Sequence, residues 1–196
     1  MTHPTLAIIA GPNGSGKSTL YRTRIAARFA GPFINADIIQ RDELCDPSVK
    51  AAYKAAAVAS KRRSEYLVSR QSFVTETVFS HPSKLDIITD AKAAGFQTYV
   101  FHVAVESPDL SVARVQARVE EGGHPVPEDK IRERYERSAD FIRQAICAVD
   151  YGFVYDNSKW NSAPEPHLYF VGGQLSRILS SPAEWIQQIY GDLIKG

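Results

Sequence analysis

The chain has 196 residues, 44% of them hydrophobic and 23% charged, with a formal net charge of +1. That length suits one domain spanning residues 1–196 with a sizeable core, and the near-neutral charge requires any basic site to be local. No apolar run approaches the ~20 residues that a membrane-spanning helix needs, and the two cysteines, Cys45 and Cys147, lack metal-type spacing and are expected to be ordinary thiols of a cytoplasmic protein.

Taken in chain order, the apolar run Thr5 to Gly11 predicts a buried strand rather than a leader segment. Residues Gly16 to Phe29 then predict a helix with Leu20, Ile25 and Phe29 inward. A short strand is expected over Pro32 to Asp37. A long alanine-rich helix follows from Asp46, its cap candidate, with Pro47 in the first turn. The strand Ser72 to Phe79 leads to a helix closed by Gly95. Next come a strand over Phe96 to Ser107, a helix stopping at Gly122 and Gly123, and a proline-marked loop before a further helix. A strand over Tyr151 to Ser158, a hairpin turning at Gly172 and Gly173, and a final helix complete the chain. Strands alternating with helices imply an α/β three-layer fold with a mostly parallel central sheet and helices on both faces. Ligands on such sheets sit at the carboxyl ends of the strands.

Residues Gly11, Pro12, Asn13, Gly14, Ser15, Gly16, Lys17 and Ser18 match G-x-x-x-x-G-K-[ST] in full, between an apolar strand and a helix. Glycines let backbone amides turn inward around phosphate oxygens, and the helix N-terminus adds partial positive charge. The pattern predicts a nucleoside triphosphate site, ATP with Mg2+, extending to Thr19. Lys17 would reach the terminal phosphates and Ser18 would ligate the metal.

Three acids follow within "FINADIIQRDE". Asp37, expected at the carboxyl end of the second strand, is the candidate general base for an acceptor hydroxyl. The competing reading is a helix cap or turn acid. Asp42 and Glu43 are expected to serve the following turn. Glu76 sits within the apolar third strand, so it should not face the core unpaired. It is a candidate for acceptor or water-mediated magnesium contact, with Thr77 beside it. The fourth strand carries no acid before Glu106, which argues against a motor-type ATPase.

Residues 107–140 read as a helical lid. Arg114 and Arg118 share one helical face, and Arg134 and Arg137 another, about a Gly-Gly-His-Pro-Val-Pro loop. A lid arginine can stabilise charge on a transferring phosphoryl group. Arg118 and Arg134 are the best candidates and Arg137 the next, against a reading as exposed charge paired with Glu120, Glu121, Glu133 and Glu136. His124 is read as a structural turn residue or a substrate contact. Asn157 and Ser158, after the fifth strand, are candidates for contact with the base.

The segments "AGPNGSGKST", "INAD", "TETVFS", "RVEEGGHPVPEDKIRERYERS" and "YDNS" together resemble the zeta-toxin-like group of P-loop kinases, in the family's order and over most of the chain. The resemblance implies ATP- and magnesium-dependent phosphoryl transfer to a sugar hydroxyl of UDP-N-acetylglucosamine. It implies Asp37 as base, Lys17 on the phosphates, and Arg118 with one of Arg132, Arg134 or Arg137 as lid arginines. The sequence departs where the toxins carry Glu-Gly-Thr and this chain has Glu76-Thr77-Val78.

The expected partner is a small-molecule acceptor, with a nucleotide sugar as one candidate. A membrane is not expected, and an antitoxin has no support in the sequence. Rival readings are another small-molecule or nucleotide kinase, and an ATP-binding regulatory module with slow hydrolysis. A nucleic-acid kinase would use Lys61, Arg62, Arg63 and Arg70, but these read as a solvated helix face.

Overall fold

A computed structural model describes residues 3–29, 31–121, 123 and 125–195. Its strands are β1 (Thr5–Ala10), β2 (Phe33–Ile34), β3 (Phe73–Thr77), β4 (Gln97–Ala104), β5 (Tyr151–Asp156), β6 (Glu165–Val171) and β7 (Gln174–Ile178). Its α-helices are α1 (Lys17–Leu20), α2 (Ala36–Ile38), α3 (Val49–Val68), α4 (Ser83–Ala93), α5 (Pro108–Glu120), α6 (Glu128–Ala148) and α7 (Glu184–Lys195).

The strands form one sheet in the order β2-β3-β1-β4-β5-β6-β7. Pairing is parallel from β2 to β5 and antiparallel from β5 to β7. β1 lies between β3 and β4, and its residues Leu6 to Ala10 are buried throughout. Its alternating side chains feed two cores, because successive residues of a strand point to opposite faces. Leu6, Ile8 and Ala10 join residues of α3, α4, α6 and α7; Ala7 and Ile9 join Leu20, Ile25, Phe101 and Tyr155. Further along that second face, Tyr99, Tyr151 and Tyr169 stack across β4, β5 and β6.

Parallel pairing aligns the carboxyl ends of β1, β3, β4 and β5, with Ala10 opposite Thr77 and His102, and Ala104 opposite Asp156. The glycine-rich loop leaves β1 at this edge. α5 and α6 fold over the same edge as an antiparallel pair, around Val112, Val115 and Ile131. Tyr135 of α6 donates to the Val105 carbonyl at 2.6 Å and ties the pair to the end of β4.

Several expected boundaries move, each for a local reason. The second strand ends at Ile34, because the Asn35 side chain accepts from the Asp37 and Ile38 amides and caps a helix there. Asp37 therefore lies in a first helical turn, not at a strand end. α2 continues as a π-helical segment, Ile39–Leu44. That segment carries Asp42 and Glu43, which pair with Arg41 and Arg62 instead of forming a turn. α3 begins at Val49 with Ser48 as its cap, three residues beyond the expected start; Asp46 accepts from the Ser48 amide just outside the helix. α1 likewise passes into a π-helical segment, Tyr21–Ile25, so the expected continuous helix is two short pieces. Gly95, with φ +78°, closes α4 as expected: its amide bonds Lys92 and the Phe96 amide bonds Ala91.

Candidate active site

The phosphate loop is held from β5. Gly16 sits at φ +90°, and a Cβ there would fall 2.1 Å from Asn157 Nδ2. This close approach lets the buried Asn157 amide donate to the Ser15 carbonyl at 3.0 Å. Asn157, expected to flank a base, thus has its side-chain amide turned against the loop. Ser158 is likewise occupied, donating to Asp156 and accepting from the Glu106 amide.

Lys17 is 7% exposed, and its ammonium donates to the Pro12 carbonyl at 2.9 Å. Glu76 Oε1 lies 3.9 Å away. Glu76 is the hub of the site: its Oε2 accepts from Ser18 Oγ at 2.9 Å and from Asn35 Nδ2 at 3.0 Å. Burial lowers the Lys17 pKa, with Glu76 and Asp37 opposing that shift and Arg118 and Arg134 adding to it. Burial raises the Glu76 pKa, against the pull of Lys17 and of the two hydrogen bonds. The acid in the apolar strand is therefore neither stray nor simply paired; three side chains, Lys17 and Ser18 of α1 and Asn35 at the cap of α2, converge on it.

The same contacts leave the Ser18 hydroxyl as a protein oxygen that could hold a hard cation. Ser18 directs its only hydroxyl proton to Glu76, which leaves its lone pairs free to face a metal. Among the described residues no group of three or more His, Cys, Asp or Glu is placed to hold an ion. Mg2+ suits this arrangement, because it commonly keeps several waters and relies on substrate phosphates with one or two protein oxygens.

Beside the loop opens a cavity of about 550 Å3. Asp37 is exposed in its wall, with Ser18 at the phosphate end, Arg118 and Gly123 on the lid side, and Gln40 and Cys45 opposite. Gly123 packs tightly against Arg118. A Cβ at that position would lie 2.7 Å from both Arg118 Cγ and the Arg118 carbonyl, to which the Gly123 amide bonds.

The lid arginines separate into two sets. Arg118 lines the cavity, and Arg134 donates to Asn13 of the phosphate loop at 3.3 Å. Arg132 instead pairs with Asp109 and Glu128, and Arg137 pairs with Glu133 at 2.7 Å on the exposed side of α6. Arg137 is thus turned away from the loop it was expected to reach. Arg114 donates to the carbonyls of Ser158 and Lys159 and lies 5.7 Å over the Trp160 ring. Thr77 lines a different cavity from Asp37, on the opposite face of β3. His124 lies outside the described residues.

One contributor escaped the sequence reading: Asn35 both caps α2 and holds Glu76. Asn13, expected in the phosphate loop, also receives Arg134 there. An Asn before a helix start was a capping signal for Asn35; its bond to a residue 41 positions away had no local signal.

The strand order, the glycine loop between β1 and α1, and the arginine-bearing helical pair define a P-loop protein of the kinase-like class. Residues 1–162 match the model of the zeta toxin family, and the chain belongs to that family. A Haemophilus influenzae protein described only as uncharacterized is 30% identical over 131 residues, 64% of this chain and 88% of its own length. Among solved structures, the AvrRxo1-ORF1:ORF2 complex with ATP superposes with a TM-score of 0.72 at 18% identity, over 95% of this chain and 63% of that one. This chain therefore spans less than two thirds of that protein's length. The PezAT toxin–antitoxin system of Streptococcus pneumoniae gives a TM-score of 0.65 at 12% identity, over 100% of this chain and 86% of that one. A kinase-like structure from Chloroflexus aurantiacus gives 0.53 at 21% identity, over 70% and 80%. At these identities the likeness is one of fold. No helix among the described residues is long and apolar enough to cross a membrane.

Proposed function

We propose that this protein transfers the γ-phosphate of ATP, with Mg2+, to a hydroxyl group of a small molecule bound in the Asp37 cavity. The observation that carries this reading is a shared wall: Ser18, Arg118 and Asp37 line one cavity, so the phosphate loop and the candidate base open into the same space. Lys17 and the loop amides hold the terminal phosphates. Asp37 accepts the acceptor's hydroxyl proton and orients its oxygen toward the γ-phosphate. Arg118 and Arg134 offset the charge that develops on the transferring group. Ser18 would hold magnesium, which would supply further neutralisation of the phosphate oxygens. Glu76 keeps the Ser18 hydroxyl turned for that task and fixes Asn35, which in turn fixes the helical turn bearing Asp37.

Nucleotide sugars, UDP-N-acetylglucosamine first, head the acceptor candidates, a choice that family membership supports. The Glu76-Thr77-Val78 sequence widens the set to other hydroxyl compounds. The test is incubation with ATP, Mg2+ and a panel of nucleotide sugars, sugar acids, free sugars and nucleosides, read by product mass. A gain of about 80 Da on one acceptor, the mass added when phosphoryl replaces a hydroxyl proton, is the expected result. ATP hydrolysis with no phosphorylated acceptor in any class would contradict the reading. Because PezAT is a toxin–antitoxin system, co-purification from the native host tests in parallel for a protein partner.

A further inference from the structure

β3 serves two sites at once. Glu76 points to the phosphate loop, while Thr75 and Thr77 point across the sheet into a separate cavity of about 230 Å3 between α3 and α4. Arg63 of α3 and Lys84 of α4 meet in this cavity, both partly buried. Burial lowers the pKa of each, and the Arg63 charge lowers that of Lys84 further.

Neither cation forms an ion pair or side-chain hydrogen bond among the described residues. Their neighbours on α3 do: Arg62 is bonded by both nitrogens to Glu43 at 2.6 Å, and Lys61 pairs with Glu65. Asp86 and Asp90 also line the cavity, but both are exposed and pair with neither cation. Two like charges brought together under partial burial are unfavourable unless an anion joins them. Thr77 Oγ1 already accepts from the Phe79 amide, so its proton is free for a further acceptor. The volume lies below the ~300 Å3 at which pockets for whole drug-sized ligands begin, and it suits a single anionic group.

We propose that the α3–α4 cavity is a second binding site, taking a phosphate or carboxylate group between the Arg63 guanidinium and the Lys84 ammonium, with Thr77 as a further donor. That anion is either the charged end of the acceptor or a separate small effector. Binding there does not depend on phosphoryl transfer, so the site stands or falls apart from the kinase reading.

The test is calorimetric titration of inorganic phosphate into the whole protein after saturation with Mg2+ and a non-hydrolysable ATP analogue, which fills the phosphate loop. One phosphate per chain is expected, weakened about tenfold or more by Arg63→Gln and by Lys84→Gln, as loss of a charged hydrogen bond implies. Analogue affinity in both variants should match wild type, which reports that the fold is intact. No phosphate binding by the analogue-filled wild type, or equal affinity in two variants that retain the analogue, would overturn the site. Turnover assays separate the two sources. A KM rise confined to anionic acceptors in Arg63→Gln assigns the site to the acceptor. Loss of a phosphate effect on basal ATP turnover, with acceptor KM unchanged, assigns it to an effector.

Discussion

At the phosphate loop the side chains have fixed partners: Asn157 on the Ser15 carbonyl, Ser18 and Asn35 on Glu76, Arg134 on Asn13. Further along the cavity that Ser18 and Asn35 also line, Asp37 and Arg41 are exposed in the wall, and Arg41 turns back to its neighbour Asp42. The first region is pre-organised, which lowers the reorganisation needed when charge develops on phosphate oxygens. The second is open, and its donors serve local structure: Gln40 gives its amide to the Asp46 and Ser48 carbonyls, and Arg41 bonds Asp42. On the proposed reading, such a site defines its nucleotide end closely and leaves acceptor choice to exposed wall residues such as Arg41.

The contrast can be broken by substitutions on each side. Lys17→Met should have the largest effect, lowering kcat/KM for ATP by about a thousandfold through loss of a buried phosphate donor; steady-state kinetics checks it. Arg118→Ala and Arg134→Ala should each lower kcat by about a hundredfold. Arg132→Ala and Arg137→Ala should stay within about twofold, because exposed ion pairs contribute little. Equal losses in all four would remove the division of the lid into inward and outward arginines. Asn157→Ala should weaken nucleotide binding about fivefold to tenfold, consistent with loss of one buried hydrogen bond to the loop, as measured by calorimetry.

The smallest effect concerns pH. Burial raises Glu76, so it takes up its proton at a higher pH than the ~4.3 of an ordinary glutamate. Protonation removes the charge facing Lys17 and weakens the acceptor for Ser18 and Asn35. Magnesium-nucleotide affinity should therefore fall as pH drops through that raised value, beyond the nucleotide's own titration. Glu76→Gln should show only the nucleotide's titration. An identical pH profile in both proteins would count against Glu76 as the hub.

The phosphate loop was legible because its chemistry lies in eight consecutive residues flanked by a strand and a helix. The sheet was legible from apolar runs alternating with helical patterns. Asp37 was placed at the right edge but on the wrong element, since the capping bond of Asn35 competes with strand extension and wins. The lid could be read as arginine-rich, yet helical spacing alone did not say which arginines turn inward. Glu133 captures Arg137, and Asp109, on a different helix, captures Arg132. Thr77, expected beside Glu76, lines the α3–α4 cavity instead, because it follows Glu76 directly and adjacent strand residues face opposite ways. Arg63 was read as part of a solvated helix face, because its meeting with Lys84 across 21 residues exists only in the folded chain.

The central claim is that Asp37 acts on an acceptor hydroxyl without taking part in holding the nucleotide. Single-turnover phosphoryl transfer by Asp37→Asn, measured beside its affinity for a non-hydrolysable ATP analogue, tests this directly. Transfer slowed by about a hundredfold or more, as loss of a general base implies, with analogue affinity unchanged, is the predicted result. Transfer at the wild-type rate, or loss of nucleotide binding in step with loss of transfer, would contradict it.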